Sequence, residues 1–127
     1  MDKDQFKNLV QQAVEALPLK IRQKMENIAI VVEDNPSFEQ LRKVGVRYGS
    51  LLLGLYEGIP QTKWGKGFGM VLPDKITIFQ QSIENIAHSK KEIKELVKYV
   101  VWHEIGHHFG FDEKKIKELE KKWKKED

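Results

Sequence analysis

The sequence predicts a small α+β domain in which a three- or four-stranded mixed sheet packs against one long helix, with short helices flanking it. Three observations indicate this fold class. Segments rich in β-branched residues lie between segments with helical periodicity. The longest helical segment carries the pattern H-E-x-x-H. The 127 residues contain neither an internal repeat nor a domain-sized linker, so we expect a single domain, 1–127.

The N-terminal third predicts two helices and a strand. Apolar residues recur every three or four positions over residues 4–17, and Asp4 or Asp2 is the candidate N-cap of this helix. A short helical piece is expected over 19–26. Residues 27–33 are rich in β-branched side chains and are followed by turn residues, which predicts the first strand.

The middle of the chain predicts a short helix, two strands and a loop. A capping-box spacing favours one or two helical turns over 38–43. Residues 50–58 are mostly apolar and predict a strand, whereas the alternating glycines of 61–69 predict a flexible loop. Residues 75–79 alternate apolar and polar side chains and predict a half-buried strand, whose residues 76–79 are a candidate sheet edge.

A long helix is predicted to begin after Ser89, which has the capping-box spacing with Glu92, and to end near Gly110. Three polar residues fall on the same side as its apolar residues: His103, Glu104 and His107. Because buried ionisable groups are costly unless they are paired or bound to metal, this placement favours a metal site over a chance pattern. A last helix is expected after Asp112, with three apolar residues on one face: Ile116, Leu119 and Trp123.

Composition narrows the classes of function. The chain has no cysteine, so disulfides and thiolate ligands are excluded and any zinc must be held by histidine and carboxylate. The net charge is +3, and residues 113–127 hold seven lysines and five acids. Such a run is usually a solvated helix face, and no nucleic-acid partner is expected. Neither a signal peptide nor a membrane span is evident, so a cytoplasmic protein is expected. A monomer is also expected.

The H-E-x-x-H pattern predicts one catalytic zinc ion. His103 and His107 are four residues apart, so on a helix both imidazoles can reach a single metal. A third ligand must come from elsewhere. A chain reversal at Gly110 makes Glu113 the candidate and Asp112 the alternative. Glu104 is then the general base that takes a proton from the metal-activated water and delivers it to the leaving amine.

Other polar residues near the motif have weaker assignments. Tyr56 and Tyr48 are candidate donors to an oxyanion, although a tyrosine at such a position is more often a packing residue. His108 lies off the direction of the two ligands, so it is expected to pack or to bond a neighbouring group. His88 precedes the helix cap and is expected at the surface.

With these residues in view, the chain resembles the bacterial minimal-zincin metallopeptidases, whose motif has the form H-E-x-x-H-x-x-G-x-x-D. The resemblance rests on residues 53–60, 72–79 and 101–110. It implies a zincin-type sheet with few helices, a zinc ion and peptidase activity. It also assigns His103 and His107 as ligands and Glu104 as base. Glu113 stands where the family has aspartate. Three arrangements therefore remain open: Glu113 binds the zinc ion directly, Glu113 binds it through a water molecule, or Asp112 takes its place.

Two functions therefore compete. The first is a zinc-dependent metallopeptidase that hydrolyses a peptide or protein substrate, with Glu104 as general base. The second is a metal- or peptide-binding module on a zincin scaffold with little or no turnover, because fold and motif do not guarantee activity and a small chain has few residues to build a deep cleft. A basic nucleic-acid partner that merely contains the motif is a third, weaker alternative.

Overall fold

The computed structural model describes residues 1–44, 52–58, 74–108 and 113–126, and for residues 107, 113, 120 and 122–126 it describes the backbone only. This part of the chain forms six helices and three strands. In chain order they are α1 (Lys3–Glu15), α2 (Leu19–Lys24), β1 (Ile28–Glu33), α3 (Phe38–Val44), β2 (Gly54–Glu57), β3 (Asp74–Phe79), α4 (Gln80–Ile86), α5 (Lys90–His108) and α6 (Glu113–Glu126).

Side-chain caps begin three of the helices where the sequence predicts them. The Asp2 carboxylate accepts from the Gln5 backbone N–H at 2.8 Å, so Asp2 and not Asp4 is the N-cap of α1. The same type of bond joins Ser37 to Gln40 at the start of α3. Ser89 Oγ accepts from the Glu92 backbone N–H at 3.1 Å before α5. These bonds satisfy backbone donors that have no partner inside the helix.

The three strands form one mixed sheet in the order β1-β3-β2. β3 pairs with β1 in parallel, with Ile28 opposite Asp74, and with β2 antiparallel, with Tyr56 opposite Ile76. The prediction that residues 76–79 form a sheet edge is therefore wrong, because β3 is paired on both sides.

The prediction of a half-buried strand also fails at its C-terminal end. Ile76 and Ile78 are fully buried on one face of β3, and Thr77 and Phe79 are fully buried on the other. Thr77 lies between two isoleucines, so the segment alternates apolar and polar residues as a half-exposed strand does.

α4 is absent from the elements that the sequence predicts. It follows β3 with no intervening residue, and its N-cap, Phe79, makes no side-chain capping bond. A helix without a polar cap and with only seven residues leaves neither of the usual signals, a capping residue or a long apolar period. Gln81 N–H donates to the Asp34 carbonyl at 3.0 Å, which ties the start of α4 to the end of β1.

The main core lies between one face of the sheet and helices α1 and α5, which pack against each other. The residues at its centre are almost completely buried: Phe6, Ala13, Ile76, Ile78, Val97, Val101, Trp102 and Ile105. α6 contributes Ile116, which is 1% exposed in the same core. The last helix therefore returns to the core that α5 lines.

α5 lies very close to β2 at Gly54. A Cβ at Gly54 would come within 2.5 Å of Val100 Cγ1 and 3.1 Å of the Thr77 carbonyl oxygen. The absence of a side chain at this position thus sets how closely the helix approaches the sheet.

Several predicted features remain untested. The 61–69 loop, Tyr48, Gly110 and Asp112 lie outside the described residues. The strand expected over 50–58 is a strand over Gly54–Glu57. In the part of the chain that the structure covers, no helix is long and apolar enough to cross a membrane.

Candidate metal centre

Residues 103–107 lie in the C-terminal part of α5, a continuous α-helix of 19 residues. His103 and His107 are thus one helical turn apart on a regular backbone. The His103 ring stacks on Tyr99, the residue one turn earlier, with the ring centroids 5.3 Å apart and the planes inclined by 29°. This stacking restricts the orientation of one of the two candidate imidazoles.

The motif lies at the border of the core rather than inside it. His103 and Glu104 are half-buried, whereas their neighbours Trp102 and Ile105 are 1% and 0% exposed. The expectation that these polar side chains point into the core is therefore correct only in part. A border position suits a hydrolytic site, because water and substrate must reach the metal and the base.

The donor types fit zinc. The motif supplies imidazole nitrogens at helical spacing, the chain has no thiolate, and zinc accepts histidine and carboxylate ligands. Within the described residues, no group of three or more His, Cys, Asp or Glu side chains is close enough together to hold a metal ion. Two of the three candidate ligand side chains, those of His107 and Glu113, fall outside that description.

The helix that carries the third candidate ligand is described from Glu113 onward. α6 begins at Glu113, separated from the end of α5 by residues 109–112. Ile116, in the first turn of α6, is buried in the core next to α5. Ile116 thereby holds the start of α6 against the core to which α5 contributes, and the predicted roles of His107, Glu113 and Asp112 stay predictions.

Two aromatic side chains and one carboxylate form a cluster beside the motif. The Tyr56 hydroxyl donates to Asp74 Oδ2 at 2.6 Å. His108 Nε2 lies 3.9 Å from the same oxygen, and the His108 ring stacks on Tyr56 with centroids 4.1 Å apart and planes inclined by 15°. We call Tyr56, Asp74 and His108 the strand–helix cluster, because they come from β2, β3 and α5.

The environment of Tyr56 keeps its hydroxyl protonated. Burial, and then the hydrogen bond and the negative charge of Asp74, raise the pKa of Tyr56 above its ordinary value of about 10. Because the hydroxyl hydrogen is directed at Asp74, Tyr56 in this arrangement is a packing and bonding residue rather than an open donor to an oxyanion. His108 stacks on Tyr56 and lies close to Asp74, which agrees with the expectation that it packs or bonds a neighbouring group.

Asp74 is the member of the cluster to which the sequence pattern assigns no role. Its partners Tyr56 and His108 are 18 and 34 residues away in sequence, so no local spacing could reveal the contact. The sequence indicates a role for Asp74 only through its place in the segment 72–79, which contributes to the resemblance to minimal zincins.

Comparison with known proteins supports the class that the motif and fold indicate. Residues 25–123 match the family described as zincin-like metallopeptidase, which is more than three quarters of the chain. The chain therefore belongs to the zincin-like metallopeptidase family. Zinc binding is a general property that membership of this family implies.

A solved structure shares the fold. It is a conserved hypothetical protein from Thermo thermophilus, similar to this chain with a TM-score of 0.55 and 19% sequence identity. The alignment covers 85% of this chain and 94% of that one. At this level of identity the likeness supports the fold alone. No match was found among curated proteins.

Proposed function

We propose that this protein is a zinc-dependent metallopeptidase that hydrolyses peptide bonds, with Glu104 as general base. The observation that carries the proposal is the H-E-x-x-H sequence on one continuous helix of a chain that belongs to the zincin-like metallopeptidase family. Half-burial of His103 and Glu104 supports it, since these groups are partly desolvated yet reachable from solvent.

In this proposal His103, His107 and Glu113 hold one zinc ion, and Asp112 is the alternative to Glu113. A zinc ion bound there supplies Lewis-acid chemistry to the reacting carbonyl and water. The stacking of His103 on Tyr99 limits the rotation of one ligand ring before metal binds. The burial of Ile116 supports the third assignment, since it holds the start of α6 against the core.

Glu104 carries the proton transfers. It accepts a proton from the attacking water and delivers it to the nitrogen of the leaving peptide, so that this peptide leaves as a neutral amine and not as an anion. Its position next to His103 on the helix keeps the carboxylate within a short reach of the ligand side chains. Peptides or proteins are the substrate class, and the protein is proposed to act as a cytoplasmic monomer.

Glu104→Gln tests the proposal because it removes the base while keeping nearly the same shape. We expect the variant to bind zinc stoichiometrically and to cleave a peptide library about 10²- to 10⁴-fold more slowly than wild type. Zinc is measured by elemental analysis, and cleavage is measured by mass spectrometry. Glu95→Gln is the matched control, since Glu95 is an exposed glutamate on the same helix.

Two further results decide between the competing functions. A zinc-loaded wild type that cleaves no more than Glu104→Gln would favour the binding module. Full zinc occupancy in His103→Ala or Glu113→Ala contradicts the ligand set, with exposed Glu118→Ala on α6 as the control for the glutamate. Loss of zinc on Asp112→Ala, with none lost on Glu113→Ala, assigns the third ligand to Asp112.

A further inference from the structure

We propose that Tyr56, Asp74 and His108, the strand–helix cluster, position the last turn of α5 for zinc binding, so that they are positioning residues of the metal site. The inference rests on the proposed function in one respect, namely that the motif binds zinc. It adds three residues outside the H-E-x-x-H pattern to the machinery of the site.

The cluster joins the helix end to two strands of the sheet. Tyr56 on β2 donates to Asp74 on β3 at 2.6 Å, and His108 on α5 lies against both through its ring and its Nε2. Tyr56 lies opposite Ile76 in the antiparallel ladder, so it projects to the face of the sheet on which α5 packs. The contact is therefore made on the side where the motif helix lies.

The hydrogen bond within the cluster is of a strong type. A carboxylate accepting from a hydroxyl makes a short, charge-assisted bond, and 2.6 Å lies within the range of such bonds. Tyr56 is half-buried, so part of the competing water is kept away from the bond. The aspartate and the tyrosine therefore form a fixed surface on which the imidazole of His108 rests.

The place of His108 in the helix links this surface to the zinc site. His108 directly follows the candidate ligand His107 and lies one turn after Glu104. It is also the last residue of α5, where backbone carbonyls lack helical partners and helices fray. Contacts that immobilise His108 therefore fix the rotation of the last turn of α5. They also fix the point at which the chain leaves α5 toward Glu113.

The metal affinity of a site depends on how well its ligands are held in position. Zinc tolerates ligand distances only within a few tenths of an ångström, and residues that orient ligands without touching the metal typically alter affinity about 10- to 100-fold. A cluster that merely stabilised the fold would change the free energy of unfolding without changing zinc affinity beyond what any equally destabilising substitution does. The two roles can thus be separated by measurement.

The experiment measures zinc affinity by competition with a chromophoric chelator in wild type, Asp74→Asn, Tyr56→Phe and His108→Phe. We expect Asp74→Asn to lower the affinity about 10- to 100-fold and Tyr56→Phe to lower it several-fold. His108→Phe keeps a ring for stacking but loses the contact with Asp74, so its loss should be intermediate. Cobalt(II) replaces zinc in a second measurement, and the visible spectrum of Asp74→Asn should shift because the ligand geometry changes.

Two controls separate positioning from stability and from charge. Val10→Ala on α1 removes buried methyl groups of a residue outside the cluster and destabilises the fold, so it should leave zinc affinity within about twofold. Glu57→Gln removes a negative charge next to Tyr56, but Glu57 bonds Gln40 and lies near Lys75 on the other face of the sheet. It should also leave the affinity unchanged.

The outcomes distinguish this inference from the proposed function. Wild-type affinity in both Asp74→Asn and Tyr56→Phe, or a loss no larger than that of Val10→Ala, overturns the positioning role alone. A wild type that binds zinc tightly and cleaves nothing overturns the peptidase proposal and leaves the positioning role intact. A wild type that binds no zinc overturns both.

Discussion

Gly54 leaves no room for a side chain between β2 and α5. We expect Gly54→Ala to lower the free energy of unfolding by about 1–3 kcal/mol, because its Cβ would overlap Val100 Cγ1 and press on the Thr77 carbonyl. This cost exceeds the gain of about 0.5–1 kcal/mol from reduced backbone freedom. Denaturant unfolding measures the change.

Gly58→Ala is the matched control for this substitution. Its Cβ would meet Asp74 Oδ1 only at 3.6 Å, an ordinary contact, so the variant should differ little from wild type. In the double variant Gly54→Ala/Val100→Ala, the steric conflict is relieved. The summed cost of the two single variants should therefore exceed the cost of the double variant by about 1 kcal/mol. Strict additivity would show that the overlap is not the cause.

Tyr56 predicts a stability change at alkaline pH. Its folded-state pKa is raised above the unfolded value of about 10, so its contribution is present below pH 10 and is lost as the pH rises through the folded pKa. Below pH 10, Tyr56→Phe should cost roughly 1–2 kcal/mol, because a hydrogen bond to a charged partner is lost. The difference between the two proteins should shrink above pH 10.

Unfolding in urea at a series of pH values tests this prediction. Tyr99→Phe serves as the control, since Tyr99 is an exposed tyrosine with 45% of its surface accessible. A gap between wild type and Tyr56→Phe that widens with rising pH would contradict the assignment of the bond to Asp74.

Strand β3 is more central and more buried than its sequence suggests. It is the central strand, and its residues 76–79 are buried on both faces. A short segment with one threonine cannot be distinguished from a half-exposed strand by periodicity, because the pattern records polarity and not the neighbours. Strand pairing depends on contacts with β1 and β2 that are distant in sequence.

Thr77 makes this burial testable. Its Oγ1 is buried and has no hydrogen-bond partner among the residues that the structure describes. Thr77→Val replaces the hydroxyl with a methyl group of similar shape, so it should raise the free energy of unfolding by about 1 kcal/mol. Thr77→Ser keeps the hydroxyl and loses the methyl group, so it should destabilise. Equal losses in both variants would mean that the hydroxyl is satisfied in solution.

The helices show which sequence signals are sufficient to predict a helix. α1, α3 and α5 are each preceded by a capping residue with its bonding partner three positions on, and the sequence predicts all three helices. α4 has no such cap, and the sequence does not predict it. Capping is a local interaction that sequence can reveal, whereas the bond from Gln81 to Asp34 that ties down α4 is not local.

The family and the α+β class of this protein follow from its sequence, whereas the order of the strands in the sheet does not. The ligand candidates His103 and His107 are readable because one helix brings them together. The cluster of Tyr56, Asp74 and His108 assembles from three elements, so only the fold reveals it. The residues of the site that helical spacing predicts, His103, Glu104 and His107, all lie on one helix.

Metal removal should change the stability of the entire fold. A ligand that binds only the folded state stabilises it by about 2.7 kcal/mol at a free concentration 100 times its dissociation constant. Zinc-saturated protein should therefore melt at a higher temperature than protein treated with a chelator, and re-addition of zinc should restore the difference. His103→Ala should show no zinc-dependent shift, whereas Glu95→Gln should behave as wild type. Identical melting with and without zinc would contradict a folded-state metal site.

The parallel pairing of β1 with β3 has a consequence for the order of folding. Ile28 and Asp74 are direct partners although they lie 46 positions apart in the chain, so a long segment must be closed before the sheet can form. β3, α4 and α5 are consecutive, and they can associate early because their contacts are local in sequence. We expect β1 to join the sheet late, after α5 has already packed against β3.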